Sequence, residues 1–151
     1  MDDGSLEFFF PTNEKIEELE DMLPNITKRV HWGDIDSLSS RSFGYKYYSK
    51  NELKGFIVCR LSDETPYIIM NDLVCSRHNK KAQARLIEIS EIKIKEFEDV
   101  LMIQMVALNN KKLKEWYIKM GYNIIVPTCL KKIMIIQKNI KNNNNLIINF
   151  D

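Results

Sequence analysis

Alternating apolar and polar positions divide the chain into short strand-like runs, separated by a few runs with helical spacing. Apolar residues at helical spacing predict three helices, over 12–23, 82–97 and 110–120. The segment 25–40 has weaker helical spacing and predicts a short helix or a structured loop. Strands are predicted at 6–10, 42–49, 53–61, 66–75, 99–108, 121–126 and 130–137.

The connections between these runs predict how the strands pair. Short turn-rich tetrapeptides, SKNE and SDET, separate the three runs between 42 and 75 and predict an antiparallel meander. The alternation of strands and helices from 67 to 126 predicts a parallel pair inside a mixed sheet, and so an α/β (α+β) fold. The third run is apolar on both faces, so we expect it to be central; Asn71 and Asp72 interrupt it and predict a bulge.

Size and charge limit the classes of function. A length of 151 residues suits one domain, expected over 1–138, followed by an Asn-rich tail over 139–151. The net charge of +1 gives no strong field for nucleic acid or for an anionic membrane, so neither is an expected partner. We found no apolar run of about 18 residues and no basic leader, and therefore expect a soluble protein.

The cysteines suggest a reducing compartment. The chain has three cysteines, an odd number, and they lie far apart in the sequence. They form no Cys-x-x-Cys pair and no pairing with histidine that would suggest a zinc site. We therefore expect buried thiols in a cytoplasmic protein that holds no metal.

The segment NKKLKEWYIKMGY, residues 110–122, combines helix signals with a possible chemical group. Asn110 suits the N-cap and Gly121 suits the left-handed residue that closes a helix. Asn110 and Tyr117 project from nearly the same face, about 10 Å apart along the axis. The apolar stripe, consisting of Leu113, Trp116, Tyr117 and Met120, is equally well explained as core.

The same segment resembles the motif that follows the fifth strand in the GNAT superfamily of N-acetyltransferases, Asn-x-x-Ala-x-x-hydrophobic-Tyr-x-x-hydrophobic-Gly-Phe, with Leu113 at the alanine. The resemblance extends over the order of elements from about 6 to 138. It implies the acyl-CoA N-acyltransferase fold, a mostly antiparallel sheet splayed between its fourth and fifth strands with helices on both faces. It also implies an enzyme that transfers acetyl from acetyl-CoA to a primary amine, on a small molecule or peptide, by direct attack in a ternary complex. Homodimers are common in the superfamily.

The resemblance also implies roles for individual residues. Tyr117 would protonate the leaving thiolate, since a phenol with an ordinary pKa near 10 is protonated at neutral pH. The backbone of Leu73, Val74 and Cys75 would pair with the pantetheine arm, beside Asn110. Asp72 is the first candidate for the general base, although it could simply satisfy the predicted bulge. His31 beside Trp32 is a second candidate, either as base or as acceptor contact.

The pyrophosphate loop departs from the superfamily pattern, Gln/Arg-x-x-Gly-x-Gly/Ala. It falls on Asn79, Lys80, Lys81, Ala82, Gln83 and Ala84, so asparagine replaces the first residue and alanine the central glycine. Backbone N–H groups at a helix start bind phosphate whichever side chains are attached, and Arg77, Lys80 and Lys81 add positive charge. The altered loop favours an alternative, a catalytically silent GNAT-fold binding or interaction module. A nucleic-acid binder that uses the same cations is a weaker rival.

Overall fold

A computed structural model describes residues 4–23, 40–76, 79–108, 110–126 and 133–141. His31, Trp32 and Arg77 lie outside these residues, as do the Asn-rich tail beyond Lys141 and nearly all of the segment 25–40. No helix in the described ranges is both long and apolar enough to cross a membrane.

Seven strands and three helices form the described structure, and each matches a predicted strand or helix within a few residues. In chain order they are β1 (Ser5–Phe9), α1 (Asn13–Met22), β2 (Phe43–Ser49), β3 (Glu52–Leu61), β4 (Ile68–Cys75), α2 (Lys80–Ile94), β5 (Met102–Leu108), α3 (Lys111–Lys119), β6 (Asn123–Val126) and β7 (Ile133–Asn139). After β7, Ile140 still packs in the core.

The strands form one mixed sheet in the order β1-β2-β3-β4-β5-β7-β6. β1 to β4 pair antiparallel in sequence, and the short turns predicted this for β2 to β4. β5 runs parallel to β4, because α2 carries the chain back across the sheet before β5 begins. β7 then pairs antiparallel with both β5 and β6. The prediction of a mixed, mainly antiparallel sheet is confirmed.

β4 and β5 separate halfway along their length. Their pairing begins at Ile68 opposite Met102 and ends at Asn71 opposite Met105. Beyond that point β4 stays paired to β3 as far as Cys75, and β5 stays paired to β7 as far as Leu108. We call the opening between the two strands the split.

The prediction of a bulge at Asn71 and Asp72 is wrong, because the pairing of β4 with β3 contains none. β3 and β4 keep one register from Leu61 opposite Ile69 to Gly55 opposite Cys75. The two polar residues that interrupt the apolar run instead mark the point where β4 leaves β5. A change of pairing partner thus has the same signature in the sequence as a bulge.

Each face of the sheet carries its own core. Val58 and Val74 lie on the face that packs against α1. Ile57, Ile69 and Met105 lie on the opposite face, which is covered by residues of α2 and α3. Because strand residues alternate between faces, this assigns every β4 side chain to one side or the other. The prediction that β4 is central and covered on both sides is confirmed.

Not every apolar residue at helical spacing in 82–97 faces the core, since Ile92 is 63% exposed. The helix buries Ala82, Leu86, Ile87, Ser90 and Ile94 instead. A hydrophobicity pattern misses this face because one of its positions is a serine, whose hydroxyl donates to the carbonyl oxygen of Ile87.

A polar cluster joins the end of α3 to α2 and β7. Lys138 Nζ donates to Glu91 Oε2 at 2.9 Å and to the carbonyl oxygen of Met120 at 2.8 Å. The Tyr122 hydroxyl donates to Glu91 Oε1 at 3.0 Å. The chain reaches this cluster through Gly121, whose φ of +95° suits glycine and closes α3 as predicted. The cluster fixes α3 relative to α2.

Candidate functional site

A groove of about 280 Å³ lies between the first turn of α2 and the length of α3. It is lined by Lys80, Gln83, Lys112, Leu113, Glu115, Trp116 and Lys119. α2 follows directly from the carboxyl end of β4, and α3 follows β5, so the groove belongs to the open end of the split. Three lysines against one glutamate make the lining positive.

The start of α2 presents cations and helix-end N–H groups without an opposing acid. Asn79 caps the helix, and its side chain accepts a hydrogen bond from the Ala82 N–H at 3.0 Å. The first turn contains no acidic residue. Ala82 is fully buried in the core, so the methyl group that replaces the usual glycine hydrogen packs inward. Lys81 is exposed and Ala84 half-buried.

Most of the groove residues on α3 were not predicted from the sequence. Lys112, Glu115 and Lys119 were not singled out, and Trp116 was assigned to the core stripe. The four positions recur at i, i+3, i+4 and i+7, so they form a second stripe beside the apolar one. That spacing was a usable signal, but only α2 shows that this stripe faces a groove.

Tyr117 lies in the core beneath this groove and is 5% exposed. Its ring contacts those of Trp116 and Tyr122 edge-on, at centroid distances of 4.9 and 5.6 Å. Burial, and secondarily the nearby Cys75 thiol, raise the pKa of Tyr117 well above its ordinary value. Its hydroxyl is therefore protonated at neutral pH.

The three β4 residues predicted to pair with a cofactor arm divide between the faces. Leu73 and Cys75 pack on the side of α2 and α3, and Val74 packs against α1. Burial raises the pKa of the Cys75 thiol to about 12, which makes a nucleophilic role unfavourable. On the β5 side, no described strand pairs with these residues. Their backbone groups there can bind an extended ligand.

Asp72 projects from the face opposite Tyr117, because it lies across from Val58 in the register. Its Oδ2 lies 2.5 Å from Arg60 Nε, and the two side chains are mostly buried. The same face also carries a pair of glutamines on β5 and β7. The Gln137 Nε2 donates to Gln104 Oε1 at 2.8 Å. The split thus has a carboxylate on one side and a tyrosine hydroxyl on the other.

Asn71 is a further candidate functional residue, for which the sequence predicted only a bulge. It is the last β4 residue paired with β5, and it is 1% exposed. Neither its Nδ2 nor its Oδ1 has a hydrogen-bond partner among the described residues. Because a buried amide without partners disfavours folding by about 1–3 kcal/mol, this side chain calls for an explanation.

Comparison with known proteins identifies the fold. No family model and no curated protein matches the sequence. Among solved structures, a GNAT-family acetyltransferase from Streptococcus pneumoniae covers 91% of this chain and 100% of its own, with a TM-score of 0.65 at 14% identity. The ribosomal-protein-S18-alanine N-acetyltransferase from Escherichia coli covers 95% and 100%, with a TM-score of 0.66 at 11% identity.

A third match contains a ligand. The PaiA N-acetyltransferase from Thermoplasma acidophilum, solved in complex with coenzyme A, has a TM-score of 0.60 at 15% identity and covers 89% of this chain and 99% of its own. Together the three matches show that this chain has the GNAT acyl-CoA N-acyltransferase fold, as the helix motif at 110–122 implied.

Proposed function

We propose, from this fold and the split it contains, that the protein transfers an acetyl group from acetyl-CoA to a primary amine on a small molecule or a peptide. The observation that carries the proposal is the separation of β4 from β5 at Asn71, with a cationic groove at its open end and Tyr117 beneath it. The solved neighbours include acetyltransferases and one complex with coenzyme A, which supports this choice of donor.

The residues present suit the donor. Its phosphates would meet Lys80, Lys112 and Lys119 and the start of α2, where helix N–H groups favour anions. Its pantetheine arm is extended and carries amides, which suit the unpaired edge of β4 beyond Asn71. We assign Asn79, Lys81, Gln83 and Ala84 to the phosphate end through the first turn of α2, and the cap residue Asn110 to the side of the arm.

The chemistry is a direct substitution at the thioester. The amine nitrogen forms a bond to the acetyl carbonyl carbon, the carbon–sulfur bond breaks, and the sulfur keeps the electron pair. Tyr117 then gives its proton to the thiolate as the sulfur leaves, and regains one from solvent. Asp72, held by Arg60 on the opposite face, accepts a proton from the attacking amine.

A catalytically silent member of the fold is the second candidate. It is favoured by Asn79 and Ala82, which replace the usual residues of the pyrophosphate loop. Such a protein would bind coenzyme A and release no thiol from acetyl-CoA. The two candidates therefore differ in turnover, not in binding.

Thiol release from acetyl-CoA, measured against spermidine, tyramine, lysine and an alanine-terminated peptide, tests the enzyme proposal. We expect turnover with at least one amine. Tyr117→Phe should then lower kcat by about 10²-fold or more with little change in coenzyme A affinity, because the hydroxyl acts only as the thiolate leaves.

Tyr122→Phe is the matched control, because its ring contacts that of Tyr117 and its hydroxyl binds Glu91 away from the split. We expect its kcat to remain within about threefold of wild type. Binding of coenzyme A without thiol release for any amine would favour the silent module. Equal kcat in Tyr117→Phe and wild type would remove Tyr117 from the mechanism.

A further inference from the structure

Asn71 places an unsatisfied carboxamide at the closed end of the split. Its cross-strand neighbours are Cys59 on β3 and Met105 on β5, and both belong to the core that faces α2 and α3. Sulfur side chains of this kind are weak hydrogen-bond partners. The amide therefore keeps a donor and an acceptor with no partner in the described structure.

Packing does not account for an amide at this position. The side chain is 1% exposed, and a leucine of similar volume would remove two unsatisfied atoms from the interior. Buried polar groups without partners disfavour folding, and they are found where a protein binds a ligand or a reacting group. The free donor and acceptor thus indicate that something polar reaches Asn71 during function.

The orientation of acetyl-CoA, which rests on the proposed function, indicates which polar group reaches Asn71. The phosphate end lies by α2, beyond Cys75, so the acyl end points toward the closed end at Asn71. Tyr117 lies in the core against which Cys75 packs, and Cys75 is the β4 residue at the open end, so we place the tyrosine toward that end, where the sulfur leaves. The thioester carbonyl then lies between the tyrosine and the amide.

We infer that Asn71 is a catalytic residue that stabilises the tetrahedral intermediate of acyl transfer. Its Nδ2–H donates to the carbonyl oxygen as that oxygen gains negative charge, and its Oδ1 accepts an N–H of the attacking amine. When the intermediate collapses, the carbon–sulfur bond breaks, the carbonyl double bond forms again, and the sulfur keeps the electron pair and takes a proton from Tyr117. The amine nitrogen loses its proton to Asp72, as proposed above. Both atoms thus have partners at the moment of reaction, where stabilisation raises kcat.

The substitution Asn71→Leu separates this role from a structural one. We expect kcat, measured with acetyl-CoA and the amine that gives the fastest thiol release, to fall by about 10²–10³-fold, as for other side-chain donors to an oxyanion. KM for acetyl-CoA should stay within about threefold, because the ground state gains little from the amide. Tm should be unchanged or higher, since the variant buries no unpaired polar atom.

Ser90→Ala provides the control. Ser90 is another fully buried polar residue on the same side of the sheet, and its hydroxyl already donates to Ile87. We expect its kcat to match wild type and its Tm to be unchanged or lower. The opposite responses of kcat and Tm in Asn71→Leu would therefore not be a general effect of altering a buried polar group.

A donor-side measurement needs no acceptor. The ¹³C resonance of [1-¹³C]acetyl-CoA should move downfield on binding to wild type, because a hydrogen bond polarises the carbonyl, and should not do so in Asn71→Leu. Equal shifts in both proteins, or wild-type kcat in Asn71→Leu, would overturn the inference. So would a parallel loss of Tm and kcat, which indicates a structural amide. If wild type neither binds coenzyme A nor releases thiol, the proposed function itself fails.

Discussion

Asparagine begins both helices that form the groove, and in both it acts as a cap. The Asn79 side chain accepts from the Ala82 N–H, and the Asn110 side chain accepts from the Leu113 N–H at 2.9 Å. Each satisfies one N–H group that the helix itself cannot pair. The contact of either residue with the donor remains a prediction from the resemblance, whereas the cap is visible in the structure.

We predict that Asn110→Ala lowers the free energy of unfolding by about 1 kcal/mol, because the first turn of α3 loses its cap. Asn110→Ser should recover most of this loss, since serine is a comparable cap. Urea unfolding of the three proteins measures both effects. Equal stability of the alanine variant and wild type would show that the cap contributes nothing.

At the scale of elements, the width of the groove depends on how α3 is held. Lys138 on β7 donates to Glu91 of α2 and to the carbonyl oxygen of Met120, the C-cap of α3, and Tyr122 donates to the same carboxylate. These contacts join α2 and the end of α3, the two helices that line the groove, to β7. The cluster thereby positions α3 relative to α2.

We predict that Lys138→Met lowers the free energy of unfolding by about 1–3 kcal/mol, because Glu91 stays mostly buried and loses its cation. The double variant Glu91→Gln/Lys138→Met should recover part of the loss, since no uncompensated charge remains. Urea unfolding of wild type and both variants measures this. A double variant that is less stable than Lys138→Met would contradict the explanation.

At the scale of the whole molecule, one core buries two cysteine thiols and two tyrosine hydroxyls in their protonated forms. Burial raises the pKa of Cys59 and of Cys75, the latter to about 12. It also raises the pKa values of Tyr117 and Tyr122, and the Glu91 carboxylate adds to the shift at Tyr122. All four groups lie on the side of the sheet that faces α2 and α3.

From these buried thiols and hydroxyls we predict that the free energy of unfolding falls at alkaline pH. The unfolded chain releases these protons near pH 8.5 for thiols and near pH 10 for tyrosines, while the folded chain retains them. The stabilisation is therefore complete below about pH 8.5 and is lost as pH rises, by about 1.4 kcal/mol per unit for each titrating group. Urea unfolding measured between about pH 7.5 and 10.5 should show the decline. Cys75→Ala should make the fall of the free energy of unfolding with pH shallower, because one of the titrating groups is removed. An unchanged slope would contradict this account.

The sequence predicted the elements well because strand and helix spacing are local properties. The meander of β2 to β4, the parallel pair and the cap at Asn110 followed from turns and periodicity, whereas the positions of β1 and β7 in the sheet did not. The exposure of Ile92 was not predicted, because Ser90 occupies a core position, which only packing against the sheet reveals. Asn71 was taken for a bulge residue because a sequence shows a polar residue in a strand, but not whether that residue finds a hydrogen-bond partner.

The groove was only half predicted for a related reason. Lys80 and Gln83 were identified through the resemblance of one loop. The opposite wall comes from α3, and its position relative to α2 depends on Lys138, far along the chain. Sites formed between two elements need the tertiary structure.

Calorimetric titration with coenzyme A tests the central claim, that the groove and the split bind an acyl-CoA. We predict that wild type binds one equivalent with a Kd below about 1 mM. Lys112→Glu, in the groove lining, should weaken binding by roughly tenfold, because it reverses a charge beside the phosphates. Lys111→Glu, the same change one residue earlier and outside the lining, should stay within about twofold. No binding at about 1 mM coenzyme A, or equal losses in both variants, would contradict the claim.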